Sequence, residues 1–312
     1  METGNSETAA PAVTRQVGLC GLGNMGSAIA SRLAPRFRLL GYDTDQARAA
    51  RAAKEYGFQS CAGLTDLAAA ESVVLCLPSP SASVAVVESM APRMPPGGVI
   101  IETSTVGPET MHRLGAICLP HGIGVIDAAI AAGVGQMRSG TAALLVGGDG
   151  ADVDKAAPVL DALAAKTVRL GALGSGAALK VINNAVAHAV MVVLVEAAAM
   201  AEACGVPRGR FIDLLTGNDA GLTRPLEHRL MERVARGDYD GGMPTEAALK
   251  DSKLALALAQ QNGIPIFAIQ ASHTVYEMAA AQQQGRLDYA SIAMLWERWL
   301  GRSLAEPGSA AP

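Results

Sequence analysis

Residues 17–30 read VGLCGLGNMGSAIA. Three glycines, Gly21, Gly23 and Gly26, stand there in the spacing G-x-G-x-x-G, after an apolar run and at the opening of an alanine-rich stretch. Each has its own task at such a corner: the first permits a tight turn, the second lets backbone approach a pyrophosphate, and the third lets helix and strand pack closely. The helix N-terminus then offers free N–H groups and a partial positive charge. Glycine-rich turns also arise for steric reasons alone, so the strand-turn-helix context gives the spacing its meaning. Gly21, Leu22, Gly23, Asn24, Met25 and Gly26 are expected to wrap a dinucleotide.

Around this turn, from Arg15 to Gly171, short apolar runs alternate with helical stretches. RQVGLC, FRLLGYD, SVVLCLP, GVIIETS, GVIDAAI, AALLVGG and TVRLG read as strands, most of them apolar enough for burial on both faces. MGSAIASRLA, DQARAARAAKEYG and DVDKAAPVLDALAA have helical length and spacing. The pattern predicts an α/β fold, a doubly wound Rossmann-type parallel sheet covered by helices on both sides. Asp43 ends the second strand, 22 residues after Gly21, where a carboxylate accepts bonds from ribose hydroxyls and repels a 2′-phosphate. NAD is therefore expected over NADP. Arg48 and Arg51 on the next helix offer the alternatives of a phosphate grip or of simple solvation.

After Gly171 the strand pattern stops and nearly every segment reads as helix, with breaks at GVP, TGND, RGDYDGGMP, NGIP and QGRLD. The expected organisation is a dinucleotide-binding domain at 14–175 and an all-α substrate and dimerisation domain at 176–302. Flexible tails are expected at 1–13 and 303–312. Residues 177–197 are apolar nearly all round, as for a helix enclosed by others. The stretch 185–201 approaches the length of a membrane span, but it contains His188 and Glu196 and lacks basic flanks, which favours a core helix and no membrane.

Composition limits the partners. Aromatic residues make up 4% of the 312, and the formal net charge is −4, so no basic footprint for nucleic acid is present and a small molecule fits better. Five widely spaced cysteines form neither CxxC pairs nor metal-ligand clusters, which points to a reduced, cytoplasmic compartment and no metal. The first thirteen residues lack the pattern of a signal peptide.

GSGAALKVINN, residues 174–184, places one lysine and two asparagines at the start of an apolar helix. Lys180 and Asn184 are four apart and share a face, with Asn183 close by. Desolvation lowers the pKa of a half-buried lysine, which then exchanges a proton with a hydroxyl near neutral pH. Asn184 donates and accepts, so it can orient both groups. The plainer alternative is a snorkelling lysine beside a capping asparagine pair.

With GLGNMG at 21–26, CLPSP at 76–80, ETSTVGP at 102–108, DAAIAAG at 127–133, GSGAALKVINN at 174–184 and LKDSKLALA at 249–257, the sequence resembles the β-hydroxyacid dehydrogenases over about residues 15–300. That family, within the 6-phosphogluconate dehydrogenase superfamily, includes 3-hydroxyisobutyrate dehydrogenase and tartronate semialdehyde reductase. The resemblance implies an NAD-dependent oxidoreductase moving hydride between nicotinamide and a small 3-hydroxy acid. It implies Lys180 as general acid/base and Asn184 as a substrate contact. It further implies Leu77 and Pro78 on the adenosine side, Thr105 by the nicotinamide ribose, Lys250 on the cofactor side, and Asp251 holding helices together. Relatives form dimers or tetramers, so a homodimer or homotetramer is expected.

One segment departs from the family pattern DAPVSGG. The substrate-binding positions become Ala131, Ala132 and Gly133, so the hydroxyl that helps hold a carboxylate is missing, although backbone N–H groups remain to bind an anion. A less polar substrate is expected. His188, about 80° round the helix from Lys180, is either a core residue or a second contact, and Glu196, opposite Lys180, reads as a structural partner. Two alternatives stay open. One is a reductase of an imine or larger carbonyl compound, whose imine version usually lacks the lysine. The other is a dinucleotide-binding protein without turnover, which is expected to lose Lys180 or Asn184.

Overall fold

Seven apolar runs form strands, in chain order β1 (Gln16–Cys20), β2 (Arg38–Tyr42), β4 (Ser72–Leu75), β5 (Val99–Glu102), β6 (Gly124–Ile130), β7 (Ala143–Gly147) and β8 (Lys166–Gly171), and a two-residue β3 (Gln59–Ser60) adds an edge. The computed structural model describes residues 15–218 and 220–306. The helices between strands are α1 (Asn24–Leu33), α2 (Gln46–Tyr56), α3 (Pro80–Met90), α4 (Pro108–Cys118), α5 (Val134–Ser139) and α6 (Gly150–Leu163). Their ends follow from local chemistry. Asp45 caps α2 by accepting the Arg48 N–H, and Gly57 ends it with a φ of 73°, a left-handed conformation suited to glycine. Ser79 and Asp149 cap α3 and α6 in the same way, with Pro80 at the first turn of α3.

The sheet order is β3-β2-β1-β4-β5-β6-β7-β8. From β3 to β6 all neighbours are parallel, as expected. β7 runs antiparallel to β6, and β8 follows β7 in parallel, so the far edge is reversed. The short α5 connection brings β7 back beside β6 without a full crossover, which an antiparallel pair permits. Successive residues of each strand face opposite layers. Val99 and Ile101 join Leu19, Ile29, Val74 and Leu144 on one side, while Ile100 joins Leu75, Val87, Met90 and Met111 on the other. The chain leaves β1 in one direction and resumes at β4 in the other, so a topological switch point lies between these two strands, where such sheets bind ligands beyond the carboxyl ends.

From Ser175 onward the secondary structure is helical: α7 (Ser175–Ala203), α8 (Arg208–Leu215), α9 (Thr245–Gln261), α10 (Ala268–Ala281) and α11 (Ala293–Leu300), with a π-helical turn at Pro225–Met231. All five sequence breaks fall between these elements. By its contacts the chain divides between Ala185 and Val186, ten residues into α7 beyond the change of secondary structure at Ser175. Of the tails expected to be flexible, 1–13 and 307–312 lie outside the described residues. Ser303–Glu306 are anchored: Leu304 N–H donates to Glu297, and Glu306 N–H to the Ala235 carbonyl.

α7 has the length and the mean hydropathy, 1.8, of a helix able to cross a membrane. Its enclosure is not found: Val181, Ile182, Val186, Met191, Val192 and Val195 are exposed in this chain. Glu196 is structural, as read. Its buried carboxylate accepts the N–H groups of Phe267, Ala268 and Ile269, at 2.6, 2.9 and 3.0 Å, capping α10. Burial opposes the charge, but the three donors outweigh it and hold the carboxyl below its ordinary value.

In the second unit a fully buried Asp288 organises the segment before α9. It faces Arg229 at 3.0 Å and Arg233 at 3.6 Å and accepts the N–H groups of Met243 and Ala290. Arg229 also lies over the Tyr289 ring, 4.7 Å from its centre.

Candidate active site

At the switch point a cavity of about 540 Å³ is lined by Gly21, Gly23, Asn24, Met25, Gly26, Asp43, Leu77 and Pro78, eight of the residues expected to bind cofactor. The glycines are needed where the spacing places them. A Cβ on Gly21, whose φ is 94°, would stand 2.1 Å from the Cys76 carbonyl oxygen, and one on Gly26 2.0 Å from the Gly21 oxygen. At Gly23 nothing lies within 4 Å of that position, which leaves open space at the N-cap of α1, where no side chain takes the helix N–H groups. This cradle fits a dinucleotide pyrophosphate. Leu22 does not line the cavity: its side chain is in the core, and its N–H donates to Asp43 Oδ2 at 2.8 Å.

Arg48, for which a phosphate grip was one of the two alternatives, also lines the cavity, as do Tyr42, Thr44, Ala82, Ala85 and Val86, which were not assigned to it from the sequence. The signal was present for the last three, which lie at one-turn spacing on α3 immediately after the Leu77-Pro78 corner. Cys20 and Cys76 complete the wall, and burial first, with nearby carboxylates, pushes their thiols up to about 12 and about 11, so both are protonated and inert.

The Leu77 corner is latched from the next strand. Leu77 N–H donates to Ser104 Oγ at 2.7 Å, and Ser104 N–H donates to Glu102 Oε1 at 2.7 Å. Glu102 is buried, and desolvation raises its pKa. Thr105, expected beside the nicotinamide ribose, is exposed after β5 and is not part of the cavity wall. Lys250 belongs to α9 in the second unit and pairs at 3.0 Å with Asp251. Asp251 was expected to hold helices together; it is exposed, and its ion partner is its own neighbour in sequence.

Lys180 and Asn184 are both half-buried on α7, four residues apart, while Asn183 is exposed. The Lys180 side chain forms no hydrogen bond or ion pair among the described residues. Desolvation, uncompensated by a carboxylate, lowers its pKa from 10.5. His188 is exposed and lines a separate apolar hollow of the second unit with Met191, Glu196, Pro265 and Phe267.

The N-terminus of α7 is fixed by Asp127, a residue whose part in this was not read from the sequence. Its carboxylate, 1% exposed, accepts Gly174 N–H at 2.6 Å and Ala177 N–H at 2.8 Å. A Cβ on Gly176 would stand 2.3 Å from the Leu145 carbonyl and 2.6 Å from Asp127 Oδ2, so glycine lets the first turn seat directly on the sheet. Lys180 follows Ala177 by three residues, about 4.5 Å along the helix axis.

The turn at 131–133 differs from its reading as an anion site. Ala131 N–H donates to the Ala143 carbonyl at 2.9 Å, and Gly133 N–H to Gln136 Oε1 at 3.0 Å, so two of the three amides are already satisfied. The methyl of Ala132 packs against the core.

Two family models match consecutive parts of the chain: the NAD binding domain of 6-phosphogluconate dehydrogenase over residues 16–174, and NAD-binding of NADP-dependent 3-hydroxyisobutyrate dehydrogenase over 174–296. The 2-(hydroxymethyl)glutarate dehydrogenase of Eubacterium barkeri is 25% identical over 296 residues, covering 93% of this chain and 97% of that one. The 3-sulfolactaldehyde reductase of Escherichia coli (strain K12) is 28% identical over 280 residues, 88% of this chain and 94% of that one. Among solved structures, an imine reductase from Pseudomonas sp. shares the fold with a TM-score of 0.81 at 21% identity, covering 89% of this chain and 98% of that one. With the glycine turn, the switch-point cavity and both domain models in register along one polypeptide, the chain belongs to the β-hydroxyacid dehydrogenase family and is an oxidoreductase that binds a nicotinamide dinucleotide.

Proposed function

We propose that the protein transfers hydride between NAD(H) and a small 3-hydroxy acid or its carbonyl counterpart, of the 3-hydroxyisobutyrate or tartronate semialdehyde type, with Lys180 as general acid/base. The observation that carries this reading is Lys180 itself, half-buried and without a carboxylate partner among the described residues, its pKa lowered by desolvation. The nicotinamide supplies the hydride acceptor. In oxidation the Lys180 amine takes the hydroxyl proton as the carbinol C–H hydride leaves; in the reverse direction its ammonium returns that proton to the carbonyl oxygen. Asn184, one turn along, orients the hydroxyl. Asp43 at the cavity wall supports NAD over NADP.

The relatives named for 2-(hydroxymethyl)glutarate and 3-sulfolactaldehyde act on compounds that carry an acid group. The 131–133 turn, with one amide unpaired among the described residues and no hydroxyl, favours a second reading in which the far end of the substrate is less polar, as in a larger carbonyl compound. A panel of hydroxy acids and neutral alcohols, followed by nicotinamide absorbance with the wild type and Ala131→Ser, separates the two. Restoring the hydroxyl is expected to raise kcat/KM for the acids by about tenfold, the worth of one hydrogen bond to a charged group. Neutral alcohols turned over in preference by both proteins would support the second reading.

The exposed apolar faces of the helical unit support self-association, as a homodimer or homotetramer, and the five free cysteines fit a cytoplasmic setting.

A further inference from the structure

Glu102 ends β5 under full cover, 1% exposed, and no step of the proposed hydride transfer uses it. Two residues after Ile100, its side chain stands on the same face of the sheet, toward α3. No lysine or arginine pairs with it among the described residues. Burial raises its pKa, and the hydroxyls of Ser104 and Ser83 with the amides of Ser104 and Thr103 offset this only in part. An acid so placed holds its proton to higher pH than an exposed carboxyl, and with the proton it is a donor as well as an acceptor. Oε1 accepts Ser104 N–H. Oε2 and the Ser83 hydroxyl that faces the carboxyl from α3 are both buried and make no other hydrogen bond among the described residues.

The loop that follows Glu102 grips the neighbouring strand end. Thr103 N–H and Oγ1 both donate to the Leu75 carbonyl, at 2.9 and 2.6 Å, while Cys76 N–H donates to the Cys20 carbonyl at 2.9 Å. Beyond Cys76 the chain leaves the sheet, and the Ser104 hydroxyl takes the next amide, Leu77 N–H, at 2.7 Å. The glycine turn lies directly across that corner: a Cβ on Gly21 would stand 2.1 Å from the Cys76 carbonyl oxygen and 3.3 Å from Leu77 Cδ2. Gly21, Leu77 and Pro78 are wall residues of the switch-point cavity, so a corner that shifted against the turn would change the width of the cleft.

We propose that Glu102 is a positioning residue for the dinucleotide: acting through Ser104, with Ser83 as its second partner, it holds the Leu77–Pro78 corner at the distance from the glycine turn that the cofactor fills. Glu102 is not itself part of the cavity wall. Its role rests on the dinucleotide occupying that cavity and is independent of the part assigned to Lys180.

The test is fluorescence titration, without substrate, of whichever of NADH and NADPH the wild type binds tighter. Wild type is compared with Glu102→Gln, Glu102→Ala, Ser104→Ala and the Glu102→Ala/Ser104→Ala double variant, each checked for folding by circular dichroism. Glu102→Gln keeps an acceptor and a donor where the neutral acid had them, and its affinity is expected to stay within about twofold of wild type. Ser104→Ala leaves Leu77 N–H without its acceptor and is expected to weaken binding about tenfold. Glu102→Ala is expected to lose a similar factor, and the double variant no more than the larger single loss, because both groups act along one path. Should Glu102→Ala fail to fold, Ser104→Ala and Glu102→Gln still decide. An affinity unchanged in Ser104→Ala, single losses that multiply in the double variant, or a Glu102→Gln protein as weak as Ser104→Ala would each overturn the proposal.

Discussion

The two units of this chain hold themselves together by different means. In the first, a sheet between two helical layers buries Leu19, Ile29, Leu75, Ile100 and Met111 completely. In the second, the buried apolar residues are mostly alanines, such as Ala259, Ala279, Ala290 and Ala293, while Leu214, Met231, Leu254, Phe267 and Trp299 remain exposed. Polar locks take over there: Asp288 with its two arginines, Glu196 at the start of α10, and Ser252 Oγ at 2.8 Å from His273 Nδ1 between α9 and α10. A layered sheet satisfies its own apolar surface within one chain. A set of alanine-rich helices joined by buried charges does not, and its uncovered faces are what an assembly of copies would cover.

The sharpest way to break that contrast lies in the first unit. Gly26→Val drives a side chain into the Gly21 carbonyl and is expected to remove measurable NADH binding in fluorescence titration. Circular dichroism should still report the helices of the second unit; if NADH binds as before, the glycine turn is not the cofactor site. Next, one chemical change placed in both units compares their surfaces. Val186→Glu, at a residue 58% exposed on α7, is expected to reduce the assembled mass in light scattering, whereas Leu119→Glu, at 78% exposure in the first unit, leaves it unchanged. Equal effects, or none, would remove the distinction.

Asp288→Asn leaves Arg229 and Arg233 without their buried counter-charge. A loss of about 3–5 kcal/mol in denaturant unfolding is expected, as when one member of a buried pair is removed. The smallest stability change falls on the other helix-bearing carboxylate. Asp127→Asn keeps the shape but turns one acceptor into a donor facing an N–H, and it is expected to shift α7 slightly, lowering kcat about ten- to a hundredfold with NADH affinity intact. An unchanged kcat would show that Lys180 does not depend on this anchor.

Much of this was legible in the sequence, for reasons that differ by element. Most of the apolar runs announced themselves because strands buried on both faces leave little room for polar residues, and Gly21 and Gly26 because a side chain at either would strike backbone; β8, whose residues are exposed or half-buried, was legible by its β-branched run alone. β3 was not legible, since two residues carry no pattern, nor was the reversal of β7, which depends on the short α5 connection. The exposure of α7 was misread because an all-apolar helix looks the same in sequence whether or not its own chain covers it. Asp127 was underread, as part of a motif, because its role arises from pairing across 47 residues.

Whether Lys180 is the proton acceptor is read from the pH dependence of alcohol oxidation. Desolvation disfavours the ammonium, so the reactive amine is present at lower pH than in an ordinary lysine. For oxidation, kcat/KM is expected to rise with pH to a plateau, breaking below 10.5, while carbonyl reduction falls through the same window. Lys180→Met should lower oxidation by about 10²–10⁴-fold, the usual worth of a general base, and erase the break. A Lys180→Met enzyme with the rate and the profile of the wild type would contradict it.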